Sequence, residues 1–200
     1  MIDVIGLFDN EDGSLGLFFH LCYENLVSYL EKNPINISYF NSPRLNGISI
    51  SLITDSLGKF ITLAYSHGSE TELLRENIPY VSTEVNIDKF SGSFFYTCSC
   101  HTGKILGKEL VNNGVLNYIG YSDKFKVWGF NMDPYIDCAN YGIKLFFEQK
   151  CTNDIIYLMK EKYNEYIDNY ENDIFGAAML VSNRNSLVSF GNNISIDDLS

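Results

Sequence analysis

The stretch SFFYTCSCHTGKILGKELVNNGVLNYIGY, Ser93–Tyr121, reads as strand, helix and strand with short connections. Phe94, Tyr96, Cys98 and Cys100 fall on one face of the first strand by two-residue alternation. Residues 104–113 place Ile105, Leu106, Leu110 and Val111 inward at helical spacing, and Asn113-Gly114 supplies a left-handed cap. The second strand, Val115 to Tyr121, follows at once. The whole has the length of one βαβ unit, roughly 30 residues, so it implies a parallel sheet and an α/β fold.

Working outward, Lys59 to Ser66 is a short apolar run that reads as a buried strand ended by His67-Gly68. Ile2 to Phe8 is another, closed by the turn Asp9-Asn10-Glu11-Asp12-Gly13. A helix capped by Ser14 is expected next, with Leu15, Phe18, Cys22, Leu26, Tyr29 and Leu30 on one face, stopped at Asn33-Pro34. Ile35 to Phe40 is a strand candidate. Ile48 to Leu57 alternates like a strand, but its place before another strand favours a helix. Downstream, 123–140 reads as a loop rich in Asp, Gly and Pro. Helices are expected at Tyr141–Gln149, 154–170 and, shorter, 173–180, and a last strand at Ser186–Phe190. The expectation is one domain over residues 1–200.

With 25 acidic against 14 basic residues, the net charge is -11, which repels phosphate backbones and anionic membranes. Neither nucleic acid nor a membrane is therefore expected as a partner. No run reaches the roughly 18 apolar residues of a membrane span, and the first residues lack the basic region of a secretory signal. Cys22, Cys98, Cys100, Cys138 and Cys151 are odd in number and irregular in spacing, which suits a reducing compartment. A cytoplasmic protein is expected. Cys98 and Cys100 are too close for a CxxC pair and no second cluster completes a zinc site, so no metal or cofactor is assigned.

In an open parallel sheet, reactive groups collect at the carboxyl ends of strands. Two ends carry suitable chemistry: His67-Gly68 and Cys100-His101-Thr102-Gly103. Their separation leaves room for one crossover that sets the strands side by side. Cys100 would stand at the N-terminus of helix 104–113, whose dipole lowers a thiol pKa, with His67 as general base. Asp123, just past the strand end, is placed on the same rim with Tyr121 and Ser122 as substrate-binding candidates, and Trp128 and Phe130 as possible pocket walls. Cys98 is read as a small buried thiol, His101 as pointing to solvent, and His20, Cys22 and Cys151 as helical packing residues. Cys138, in the 123–140 loop, has no obvious base.

Ser66-His67-Gly68 followed by Cys98-Ser99-Cys100-His101-Thr102-Gly103 resembles the His-Gly and Ser-Cys-x-Thr/Ser-Gly motifs of caspase-like (clan CD) cysteine peptidases, especially metacaspases and the CHAT branch. The likeness runs from about Lys59 to Phe125, a third of the chain. It implies a three-layer sandwich with a mostly parallel central sheet flanked by helices. It also implies peptidase activity on protein or peptide substrates, and an oxyanion hole made by the N–H groups of Gly68 and Cys100. Metacaspases carry an acid two places before the nucleophile, where this chain has Cys98, so the resemblance does not extend to a basic P1 preference. A chain of this kind needs outside control, for instance from a regulatory partner protein. Two alternatives remain open: a silent caspase-like domain that regulates a partner, and a flavodoxin-like ligand-binding domain. Against the latter, the loop 9–13 is acidic where a phosphate cradle wants Gly, Ser and Thr.

Overall fold

The structure is a computed structural model and describes residues 1–170 and 173–199. In chain order the elements are β1 (Ile2–Phe8), α1 (Gly16–Leu30), β2 (Ile35–Asn41), α2 (Gly47–Thr54), β3 (Phe60–Tyr65), β4 (His67–Gly68), β5 (Glu72–Arg75) and β6 (Ile78–Ser82). Then come β7 (Ser93–Cys98), α3 (Leu106–Asn112), β8 (Asn117–Tyr121), α4 (Asp133–Phe147), α5 (Thr152–Asp168), α6 (Ile174–Ser186) and β9 (Leu187–Gly191).

Six strands form the central sheet in the order β2-β1-β3-β7-β8-β9. All pairs are parallel except the last, where β9 runs antiparallel to β8. Alternate side chains divide the core into two layers. Val4, Ile61, Phe94, Tyr96 and Ile119 pack against α1, α4 and α5, while Ile5, Leu7, Phe60, Phe95 and Tyr118 pack under α2 and α3. The strands β3, β7 and β8 are buried at every position, as expected of central parallel strands covered on both faces. This is the α/β sandwich, a mostly parallel sheet between helical layers, that the sequence implied.

Four local expectations are corrected. Helix α4 starts at Asp133 inside the stretch read as loop, because Pro134 sits in the first turn, where no N–H is needed. Cys138 is therefore a buried helical residue. The crossover from β3 to β7 is a small antiparallel sheet, β4-β5-β6, followed by a 3₁₀ turn at Ile87–Phe90. Its strands of two to five residues are too short to show a period. Ser14 is not the cap of α1: the Asp12 carboxylate accepts from the N–H groups of Ser14 and Leu15 at 2.9 and 2.7 Å. Helix α3 opens at Leu106, leaving residues 101–105 as turns.

One buried side chain ties the layers together. Asn140 of α4 accepts from Tyr65 Oη of β3 at 2.8 Å and donates to the Cys22 carbonyl and Asn25 Oδ1 of α1, both at 3.0 Å. Asn140→Ala would remove three buried hydrogen bonds that join β3, α1 and α4, leaving the Tyr65 hydroxyl only its longer contact with the Ala139 carbonyl at 3.3 Å. The expected loss is about 2–3 kcal/mol of unfolding free energy, read as a lower urea midpoint with unchanged slope.

Candidate active site

The register of β3 against β7 runs from Phe60 opposite Ser93 to Tyr65 opposite Cys98. Continued two residues, it sets His67 level with Cys100 on adjacent strand paths, which lie about 4.8 Å apart. Gly68 makes the approach closer still. A Cβ there would stand 2.7 Å from the Cys100 carbonyl oxygen and 2.7 Å from Thr102 Cγ2, so only glycine fits. His67 and Cys100 both line a cavity of about 450 Å³, with Ser14, Leu15, the segment Lys124–Val127 and Met179.

The chain after Cys100 is held at several points. Thr102, fully buried, donates to the Ser99 carbonyl at 3.2 Å and accepts from Tyr118 Oη at 2.8 Å. The N–H groups of His101 and Gly103 bond the carbonyls of Asp123 and Tyr121 at 3.1 and 2.9 Å. His101 takes a positive φ of 61°, which turns the chain sharply after the thiol. Its Nδ1 is enclosed, 3.7 Å from Asp123 Oδ1, so the ring leans on Asp123 and does not project freely into solvent.

Asp12 is the site residue that sequence reasoning missed. Its Oδ2 lies 3.1 Å from His67 Nε2, and Ser14 Oγ lies 3.3 Å from the same nitrogen. Ser14 Oγ donates to Asp12 Oδ1 at 2.7 Å, so both oxygens facing Nε2 act as acceptors. That network assigns the ring proton to Nε2 and leaves Nδ1 with the basic lone pair. Burial alone would raise the Asp12 pKa, but the bonds from Leu15 and Ser14, with the charge of His67 adding to them, hold it down at about 2. The available signal was Asp12 in the turn after β1, whose end lies beside that of β3.

Cys100 is half-buried, and burial pushes its thiol above the ordinary value near 9, with Lys124 pulling weakly the other way. Among the described residues its hydrogen-bond contact is the Phe125 carbonyl at 3.9 Å, and no bond joins it to His67. The expected helix-dipole activation is thus corrected: α3 begins six residues later, too far for its first turn to act on the thiol. Cys98 lies in the core and its thiol is raised further by burial. In the antiparallel β4-β5 pairing, Ser69 N–H bonds Glu72 O, so Gly68, opposite Leu73, belongs to a non-bonded pair and points its N–H away from β5. Cys100 N–H has no backbone acceptor among the described residues.

The three substrate-binding candidates do not line this cavity. Tyr121 is buried, its hydroxyl 2.9 Å from that of Tyr163, because it faces inward from β8. Ser122 and Asp123 line a separate depression with Ser182, Asn185 and Ser186. Lys124 and Lys126 stand in the wall instead, and neither pairs with a carboxylate among the described residues. Trp128 follows the wall, partly buried, and Phe130 is exposed. Among the described residues no group of His, Cys, Asp and Glu is arranged to hold a metal, and no helix is long and apolar enough to cross a membrane.

No family model and no curated protein matches this sequence. Solved structures do match in fold. The Arg-specific cysteine proteinase gingipain R superposes with a TM-score of 0.59 at 14% identity, over 96% of this chain and 46% of that one. A complex of the pro- and mature domains of the same proteinase from Porphyromonas gingivalis gives 0.56 at 13% identity, over 99% and 48%. The chain therefore shares the caspase-like fold of these structures and spans about half their length. The flavodoxin-like alternative receives no support, since the loop after β1 directs a carboxylate at His67.

Two measurements probe this electrostatics. Alkylation of Cys100 by iodoacetamide should rise with pH through a midpoint above 9, because burial disfavours the thiolate. A midpoint below 8 would reveal a preformed ion pair. For Asp12 the folded pKa lies below the unfolded one, so its stabilisation is present above about pH 4 and fades as pH falls through about 2. Urea midpoints of wild type and Asp12→Asn should differ by the equivalent of about 2 kcal/mol at pH 5 and converge towards pH 2.5.

Proposed function

We propose that this chain is a cysteine peptidase in which Cys100 is the nucleophile, His67 the proton carrier and Asp12 the residue that positions His67. The observation that carries the reading is the pairing of β3 and β7, which delivers His67 and Cys100 to one cavity while Asp12 holds the far side of the imidazole. The two side chains are not bonded to each other, and both face the cavity in which a scissile amide would be seated.

With a neutral thiol at rest, the S–H proton passes to His67 Nδ1 as Sγ attacks the carbonyl carbon. The oxygen takes up the charge against the N–H groups of Gly68 and Cys100. The tetrahedral intermediate collapses to a thioester, and His67 gives its proton to the departing amine. Water then attacks the thioester, losing a proton to His67, and the carboxylic acid leaves as the Cys100 thiol is restored. Asp12 remains ionised throughout and stabilises the imidazolium that forms twice in the cycle.

The wall also bears on specificity. Lys124 and Lys126 face the cavity region, and the nearby carboxylate, Asp12, is committed to His67. A buried Arg or Lys of the substrate would meet like charge with no partner, a cost of several kcal/mol. The Arg specificity named for gingipain R is therefore not carried over.

A second reading, a silent domain of the same fold that binds a regulatory partner, is favoured by the raised Cys100 thiol and its lack of a bond to His67. A peptide-based acyl electrophile separates the two. On the peptidase reading it labels Cys100 and not Cys98, labelling drops at least about a hundredfold in His67→Ala, and Cys100→Ala abolishes cleavage while the melting temperature hardly moves. Asp12→Ala should lower kcat about a hundredfold with KM near wild type. In a P1-varied peptide library, Arg and Lys should be cleaved at least about tenfold more slowly than uncharged or acidic residues, and Asp123→Asn should leave that profile unchanged. Absence of labelling at Cys100 favours the silent domain.

A further inference from the structure

Beside the cavity, three apolar side chains face outward around a half-buried Trp128. Phe130 is 90% exposed, Ile174 83% and Phe175 71%. Trp128 bridges two of them, its ring 5.2 Å from that of Phe130 and 6.2 Å from that of Phe175, nearly parallel to the latter. A contiguous apolar surface of this kind, left to water, forgoes about 25 cal/mol for each Å² uncovered.

The backbone beneath this ledge is fixed. Asn183 of α6 clamps Lys126 on both sides, accepting from its N–H at 2.9 Å and donating to its carbonyl at 2.7 Å. Asn131 N–H closes a turn onto the Trp128 carbonyl at 3.2 Å. The first turn of α6 is capped by Asp173, which accepts from the N–H groups of Phe175 and Gly176 at 3.1 Å each. Tyr135 Oη donates to the Gly176 carbonyl at 2.8 Å, and Gly176 lies against the Tyr170 ring too closely for any side chain. The rings are thus held out on an anchored frame.

Both segments of the ledge continue directly from walls of the catalytic cavity. Trp128 follows Val127, and Phe175 lies one helical turn before Met179 on the same face of α6; Val127 and Met179 line the cavity. One turn places the ledge about 6 Å beyond the cavity edge, which an extended peptide covers in roughly two residues at about 3.3 Å each.

We infer that the Trp128–Phe130–Phe175 ledge is a substrate subsite, taking a bulky apolar side chain of the peptide a few residues from the scissile bond. This inference rests on the peptidase reading. The occupant follows from continuity: a peptide whose scissile residue fills the cavity runs out over the ledge, where rigid aromatic rings give large contact area at little cost in side-chain entropy.

Peptides of fixed P1 are varied from Ser to Leu or Phe at each position within four residues on either side of the scissile bond. Wild type should show about tenfold higher kcat/KM for Leu or Phe at one position or two adjacent ones. In Phe130→Ser/Phe175→Ser, and partly in Phe130→Ser alone, that preference should fall below about twofold. Iodoacetamide alkylation of Cys100, by a reagent too small to reach the ledge, and the melting temperature should stay as in wild type. Cleavage without positional preference, or a preference that survives the double substitution, overturns the subsite alone. So does a wild type whose dimerisation is lost in the double variant while its peptide profile is not. Failure of wild type to cleave any peptide overturns the peptidase reading, and the subsite with it.

Discussion

The site depends on the contact between Gly68 and the backbone of Cys100. Parallel pairing of β3 and β7 brings their carboxyl ends level, but a sheet spacing of about 4.8 Å alone would leave both chain ends free to diverge. With no Cβ at Gly68, the turn into β4 presses onto the Cys100 carbonyl and Thr102. Thr102 is in turn held by Tyr118 of the next strand. Three neighbouring strands therefore share one rigid junction, in which the backbones of Gly68 and Cys100 cannot separate. The small sheet β4-β5-β6, inserted where a helix would ordinarily cross over, keeps the Gly68 N–H turned away from its own ladder.

Asp12 performs two tasks with one carboxylate. It receives the N–H groups at the entry to α1 and it holds His67 Nε2. The cost of enclosing it is offset locally by Leu15 and Ser14, so it stays ionised and able to steady an imidazolium. The start of a packed helix thereby fixes the tautomer of a side chain two strands away in sequence order.

The sheet, and the meeting of His67 and Cys100 at adjacent strand ends, were legible because buried parallel strands are short apolar runs, and because Gly68, Thr102 and Gly103 mark sharp turns at their ends. Asp12 was not, since an acidic turn such as 9–13 looks the same whether its carboxylates face water or a histidine. It was read only as a loop unsuited to phosphate. Asp123 follows β8 as expected but lines a different depression from His67 and Cys100, because strand-end position does not tell which side of β8 the following residue takes. Tyr121 failed for the opposite reason: alternation on a fully buried strand gives no clue to which face holds the cavity. Pro134 misled the reading of α4 because a proline in a helix's first turn and one in a loop have the same local signature, and only the periodicity of the residues downstream tells them apart.

The raised thiol of Cys100 bears on how a caspase-like fold of this kind can work at neutral pH. An exposed thiolate beside an imidazolium would be reactive towards any electrophile, whereas a half-buried neutral thiol is quiet until a substrate is seated. Desolvating a preformed ion pair in the cavity would cost several kcal/mol per ion. Keeping the thiol neutral avoids that cost in the resting protein. On the proposed peptidase reading, the charge separation would arise only as Sγ bonds to carbon, with Asp12 already held against His67. On this account the rigidity of the Gly68–Cys100 junction and the burial of the thiol serve one end, because a fixed set of dipoles is most effective for charge that appears late, in a place from which water has been excluded.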